Sequence, residues 1–141
     1  MNIEGILVPI VTPFTADNQV DTTLLAELVD AFIAKGVRGI VACGTTGEYY
    51  ALSEAERETV LTTIVKAAAG RCTLIAGVSD MSSEVAAQRA ARAKELGYDG
   101  LMLSAPPYSL PSQQGIIEHF EYVASKTDLP IILYNFPTRI G

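Results

Sequence analysis

Apolar runs of five to seven residues alternate along the chain with longer stretches in which apolar positions recur every three or four residues. The runs predict buried strands over Ile6–Val11, Val37–Cys43, Thr73–Val78, Gly100–Ser104 and Pro130–Tyr134. Pro9 is awkward inside the first of these, because proline removes a ladder donor, and it suits an edge strand or a bulge. The longer stretches predict four helices. The first starts near Asp21, sets Leu24, Leu25, Leu28, Val29, Phe32 and Ile33 on one face, and stops at Lys35–Gly36. The second opens on a Ser53/Glu56 capping box, buries Val60, Leu61, Ile64 and Val65, and ends at Gly70. The third runs from about Ser82 to Leu96, with Ala86, Ala90, Ala93 and Gly97 on a side small enough to pack closely on a sheet. The fourth takes Pro111 into its first turn and presents Ile116, Ile117, Phe120 and Val123.

Strict alternation with a period of roughly 30 residues, and strands apolar throughout, predict one α/β domain over residues 1–141 with a parallel sheet covered on both faces. Two architectures satisfy that count. A flavodoxin-like doubly wound sheet fits the length but normally closes with a fifth helix. A (β/α)8 barrel of TIM type needs about 250 residues, so this chain would be a little over half of one. The pattern by itself leaves both open.

Composition narrows the partners. Hydrophobic residues make up 49% and charged residues 18%, a globular balance. A net charge of -6 argues against nucleic acid or an anionic membrane as partner. The start, Met1-Asn2-Ile3-Glu4, has no basic region, and no apolar run approaches the roughly 20 residues of a membrane span, so a cytoplasmic protein is expected. Cys43 and Cys72 fall at opposite ends of neighbouring strands, too far apart to pair. His119, the single histidine, has no ligand-type neighbour at metal spacing and is expected on a helix surface without catalytic duty.

In either architecture ligands sit at the C-terminal ends of the strands. Those positions hold Thr12, then Thr45, Thr46 and Glu48, then Ser79 and Asp80, then Tyr108, then Tyr134, Asn135 and Arg139. Gly44-Thr45-Thr46-Gly47-Glu48 lacks the lysine and spacing of a P-loop. Its glycines allow a tight turn and close approach of backbone, and its N–H groups and hydroxyls suit a carboxylate. Arg139 is placed to clamp a second carboxylate. Tyr108 and Tyr134 are able to shuttle protons within a hydrogen-bonded chain, or else simply to pack.

The glycine-threonine turn, Pro106-Pro107-Tyr108 followed by Pro111-Ser112-Gln113 and Gly115, and Tyr134-Asn135-Phe136-Pro137 together resemble the dihydrodipicolinate synthase and N-acetylneuraminate lyase family over the whole chain. The resemblance implies a (β/α)8 barrel, of which this chain is the N-terminal portion with about five strands and four helices. It implies a pyruvate-dependent Schiff-base aldolase that uses no metal or organic cofactor and assembles as a homo-oligomer, dimer or tetramer. By position it assigns Thr45 and Thr46, with Gly47 in their turn, to the pyruvate carboxylate and Tyr134 to general acid/base duty. Thr45 then relays protons between Tyr134 and Tyr108, the latter entering from a neighbouring subunit. Arg139 holds the second substrate's carboxylate. This arginine and the Thr-Thr pair favour the synthase branch, which condenses pyruvate with aspartate semialdehyde on the route to lysine. A lyase for N-acetylneuraminate or a 2-keto-3-deoxy sugar acid is the alternative. Lysine-inhibited members hold the effector through residues matching Tyr49, Tyr50, Glu54, Arg57, Met81, Val85 and Pro107, and the types here do not suit that pocket.

The family's Schiff-base lysine lies about 25 to 30 residues beyond Tyr134. Lys35, Lys66, Lys94 and Lys126 all fall on predicted helices, so the chain alone is expected to be inactive. A reading from another class is a non-enzymatic half barrel that pairs with a second chain to cover its edges.

Overall fold

Five parallel strands pair in the order in which they occur along the chain: β1 (Leu7–Pro9), β2 (Gly39–Ala42), β3 (Thr73–Gly77), β4 (Gly100–Ser104) and β5 (Ile131–Tyr134). The computed structural model describes residues 3–140, the last two through their backbone only. Helices α1 (Thr22–Ala34), α2 (Glu54–Ala68), α3 (Ser83–Leu96) and α4 (Gln113–Ala124) fill the connections, and a single turn, α5 (Pro137–Ile140), follows β5. A doubly wound sheet reverses its strand order at a switch point, and this order never reverses. Right-handed crossovers between sequential strands place every helix on one side. Accordingly α1 packs on α2, α2 on α3, and α3 on α4, as in successive units of a barrel.

Each helix starts where a side chain satisfies its first amides. Asp21 accepts from Leu24 N (2.9 Å), and the Ser53/Glu56 box forms in both directions. Ser82 and Ser112 cap α3 and α4, accepting from Val85 N and Gly115 N. Ser112 therefore sets the start of α4, and Pro111 lies outside the helix rather than in its first turn. Gly97, at φ +90, ends α3 in the left-handed conformation that β-carbons resist.

Ile40, Ile64, Ile75, Leu101, Leu103 and Val123 are fully buried, and each contributes about 1.5–3 kcal/mol on leaving water. Ala86, Ala90 and Ala93 are buried to the same degree, letting α3 lie close to the sheet. The outer strands each have one neighbour, so proline is tolerated in β1, where Pro9 sits opposite Val41. Beside the open edges, Ile6 is 69% and Leu133 61% exposed. Cys43 follows β2 and Cys72 precedes β3, and both are free thiols. Among the described residues no helix is long and apolar enough to cross a membrane.

His119 departs from its expected surface position. It is buried on the inner face of α4, where Nδ1 lies 2.8 Å from the Ser83 hydroxyl of α3. Its Nε2 has no partner in hydrogen-bonding geometry among the described residues. Burial holds the imidazole below its ordinary pKa, against the opposing pull of the Ser104 backbone and Asp80. The unfolded chain therefore takes up a proton first. Stability should fall as the pH drops through about 6.5, and level off below the depressed folded value. Urea midpoints at pH 7.5 and pH 5 should differ more for the wild type than for His119→Gln; equal differences would remove His119 as the cause.

Candidate active site

The rim of the sheet is built from backbone that L-residues adopt reluctantly. Cys43 (φ 51), Glu48 (φ 53), Tyr108 (φ 70) and Leu110 (φ 46) all occupy the left-handed region, and all lie just beyond the C-terminal ends of β2 and β4. Strain of this kind, of order 1–3 kcal/mol per residue, persists only where surrounding packing imposes it, and it gathers at sites of function.

Between Cys43 and Glu48 the chain makes one tight 3₁₀ turn, Thr45–Gly47. Gly47 N donates to Gly44 O (3.1 Å) and Glu48 N to Thr45 O (3.0 Å). Those amides are used within the turn, whereas the amides of Thr45 and Thr46 open it, where the first N–H groups of any helical turn lack an internal acceptor. The glycines serve differently from the expectation of conformational freedom. Neither takes a positive φ; at Gly47 an added β-carbon would lie 3.0 Å from the Ile10 carbonyl oxygen, a tight approach that glycine relieves. Thr12 ties this turn to the end of β1 by donating its hydroxyl to Gly47 O at 2.8 Å.

Thr45 and Tyr134 border one space. Together with Tyr49, Tyr50, Ser104, Pro107 and Phe136 they line a cavity of about 370 Å³ on the rim. Beneath it a smaller cavity of about 30 Å³ is bounded by Thr45, Tyr49, Ser79, Met102, Ser104 and Tyr134, among others. Tyr134 is brought there by its register opposite Ser104, and its ring packs at 6.0 Å from Phe136. Burial raises the pKa of Tyr49, so its phenol stays protonated, a donor at neutral pH. No charged side chain lines the larger cavity among the described residues; its polar lining residues, Thr45, Tyr49, Tyr50, Ser104 and Tyr134, all bear hydroxyls.

The remaining expected residues divide. Gly47 is buried behind the turn, while Thr46 is exposed beside it and does not line the cavity. Tyr108 is 89% exposed and does not line the cavity that Thr45 and Tyr134 share. Arg139 falls in α5, and its side chain lies outside the described part of the structure. Sequence reasoning placed Ser79 on the rim but missed Ser104. The two are buried and joined, Ser104 N donating to Ser79 Oγ at 3.0 Å. A serine ending an apolar strand beside Pro106-Pro107 was the available signal.

Comparison with known proteins fits this geometry. The sequence model of the Dihydrodipicolinate synthetase family matches residues 2–141. The chain is 40% identical over all its 141 residues to 4-hydroxy-tetrahydrodipicolinate synthase 1 of Halalkalibacterium halodurans, of which it covers 48%. It superposes with a TM-score of 0.95, at 40% identity, on a pyruvate complex of dihydrodipicolinate synthase from Acinetobacter baumannii, covering 98% of this chain and 47% of that one. N-acetylneuraminate lyase from Mycoplasma synoviae gives 0.85 at 34% identity, covering 93% of this chain and 46% of that one. The chain thus spans about half the length of the relatives it matches. A family model matched over residues 2–141, with superposition on a solved synthase at 40% identity, means that this chain belongs to the dihydrodipicolinate synthetase family.

Proposed function

We propose that this chain is the pyruvate-recognising part of a Schiff-base aldolase, the 4-hydroxy-tetrahydrodipicolinate synthase that joins pyruvate to aspartate semialdehyde. The observation that carries the proposal is the shared cavity of Thr45 and Tyr134. A keto acid seated there has its carboxylate on the Thr45–Thr46 turn, which supplies its opening N–H groups and the Thr45 hydroxyl. Its ketone then faces the Tyr134 phenol, which moves protons as the carbinolamine loses water and as the enamine attacks the aldehyde. Thr45 links that phenol to Tyr108 of a second subunit; the exposure of Tyr108, with Tyr50 (69%), Met81 (64%) and Leu110 (64%) also exposed, is what such an interface requires. Arg139 receives the aldehyde's own carboxylate. The curated relatives named as synthases favour this branch over the sialic acid lyases.

The amine comes from elsewhere. Lys35 caps the end of α1, Lys66 and Lys94 occupy the last turns of α2 and α3, and Lys126 follows α4 with its ammonium 5.3 Å above the Tyr122 ring. Lys94 also pairs with Asp128 at 2.8 Å. None lines the rim cavity. The nucleophilic lysine of the proposal belongs to the part of the barrel that the relatives possess and these 141 residues do not span.

Borohydride reduction in the presence of pyruvate tests this. The intact enzyme should gain one stable adduct on a lysine outside residues 1–141, and the isolated chain none. An adduct on Lys35, Lys66, Lys94 or Lys126 overturns the assignment, and no adduct on any form favours a non-enzymatic half barrel.

A further inference from the structure

The C-terminal tip of β3 is held by guanidinium groups from the helices on either side of it. Arg89 of α3 donates Nη1 to the Ser79 carbonyl at 2.9 Å and is neutralised by Asp80, also at 2.9 Å, and by Glu54. Arg57 of α2 is different. It is only 3% exposed, its Nη2 donates to the Gly77 carbonyl, and no carboxylate lies within ion-pair distance of it among the described residues. Its Nη1 is buried without a partner among the described residues. A guanidinium stays charged under such conditions, so burying one without a counter-ion is costly. Packing alone does not account for that cost, since methionine or leucine fills similar space with no charge to desolvate.

What Arg57 holds is in direct contact with the candidate site. A β-carbon on Gly77 would stand 2.3 Å from the Cys43 carbonyl oxygen and 2.9 Å from its carbon, so the two peptide backbones touch. Cys43 is the strained residue that begins the turn, and Gly44 and Thr45 come next. A short mechanical series runs from Arg57 through the Gly77 peptide and the Cys43 peptide to Thr45. Strained backbone relaxes unless its neighbours are fixed, and Gly77 is the neighbour that Arg57 fixes.

We propose that Arg57 is a positioning residue for the carboxylate turn: by pinning the Gly77 carbonyl it keeps Cys43 in its left-handed conformation and so sets where the Thr45 amide and hydroxyl point. The effect on ligand affinity rests on the carboxylate reading of that turn; the effect on backbone conformation does not.

The test uses the ¹⁵N-labelled intact enzyme with Arg57→Met, Arg57→Lys and Arg89→Met variants, followed by amide shifts without ligand and during titration with pyruvate. Arg57→Met should displace the Cys43, Gly44 and Thr45 amides, leave those of α1 and α4 at wild-type positions, and weaken pyruvate binding by about tenfold, the usual cost of one misplaced hydrogen bond. Arg57→Lys, which keeps a cationic donor, should recover part of that loss. Arg89→Met should move Ser79 and Ser104 instead, with Thr45 unmoved. Unchanged Cys43–Thr45 shifts in Arg57→Met overturn the proposal, as does a general loss of dispersion in Arg57→Met that Arg57→Lys does not restore. Wild-type enzyme that shows no pyruvate response overturns the carboxylate reading, while the ligand-free shifts still decide the role of Arg57.

Discussion

Tyr134→Phe should lower kcat of the intact enzyme by about 10²–10⁴-fold, the usual contribution of a positioned proton-transfer group. The substitution removes one oxygen and nothing else. The strand that carries Tyr134 is fixed by its pairing with β4, and the ring keeps its packing on Phe136. Phenylalanine retains both, so the thermal midpoint should stay within about 2 °C of the wild type, as for substitutions that cost only a few tenths of a kcal/mol. KM for pyruvate should change little, because the carboxylate is held by the Thr45–Thr46 turn and not by the phenol. Steady-state turnover beside a melting curve separates the outcomes. A loss of less than about tenfold takes Tyr134 out of proton transfer, and a large fall in midpoint means that the hydroxyl was structural.

Gly77→Ala should be the most damaging single methyl group that can be added to the sheet. The new carbon meets Cys43 O at 2.3 Å, Cys43 C at 2.9 Å and Ala42 O at 3.2 Å, all of them backbone atoms that cannot rotate away. Gly77 does not take a positive φ, so the cost is steric rather than conformational. Overpacking of this sort costs about 1–3 kcal/mol, and here relief requires β2 and β3 to separate at their tips. A chain of this size has only some 5–15 kcal/mol of net stability, so the urea midpoint should fall clearly. Pyruvate binding at Thr45 should suffer with it. A midpoint equal to that of the wild type would mean that the two backbones are further apart than the structure places them.

Periodicity located the five strands and the four long helices because each carries a run or a repeat of apolar side chains, buried throughout in β2 and half-buried in the edge strands β1 and β5. Ser53 with Glu56 and the alanines of α3 were legible for the same local reasons. His119 was misplaced because its residue type outweighed its phase. It lies three residues after Ile116 and four before Val123, on the face that α4 buries, and a neutral imidazole with one hydroxyl partner is apolar enough to go there. Arg57, for which the sequence suggested no buried role, likewise sits in phase with the buried face of α2, one turn before Val60 and Leu61. The contact between Gly77 and Cys43 could not be read at all. It joins residues 34 positions apart through strand register, and register is a property of the assembled sheet. That Thr45 and Tyr134 share a cavity was legible through topology, since both follow or end parallel strands whose tips share one rim, and through the family resemblance.

The sequential strand order also bears on how the molecule is made. The principal contacts between elements join each strand or helix to near neighbours in the chain, so docking a new unit never waits for a remote one. On a ribosome, where residues appear from the N-terminus onward, each strand can settle against its predecessor as soon as it clears the exit tunnel. Order of birth and order in space coincide, and whichever strand was synthesised last presents the free edge on which the next will form.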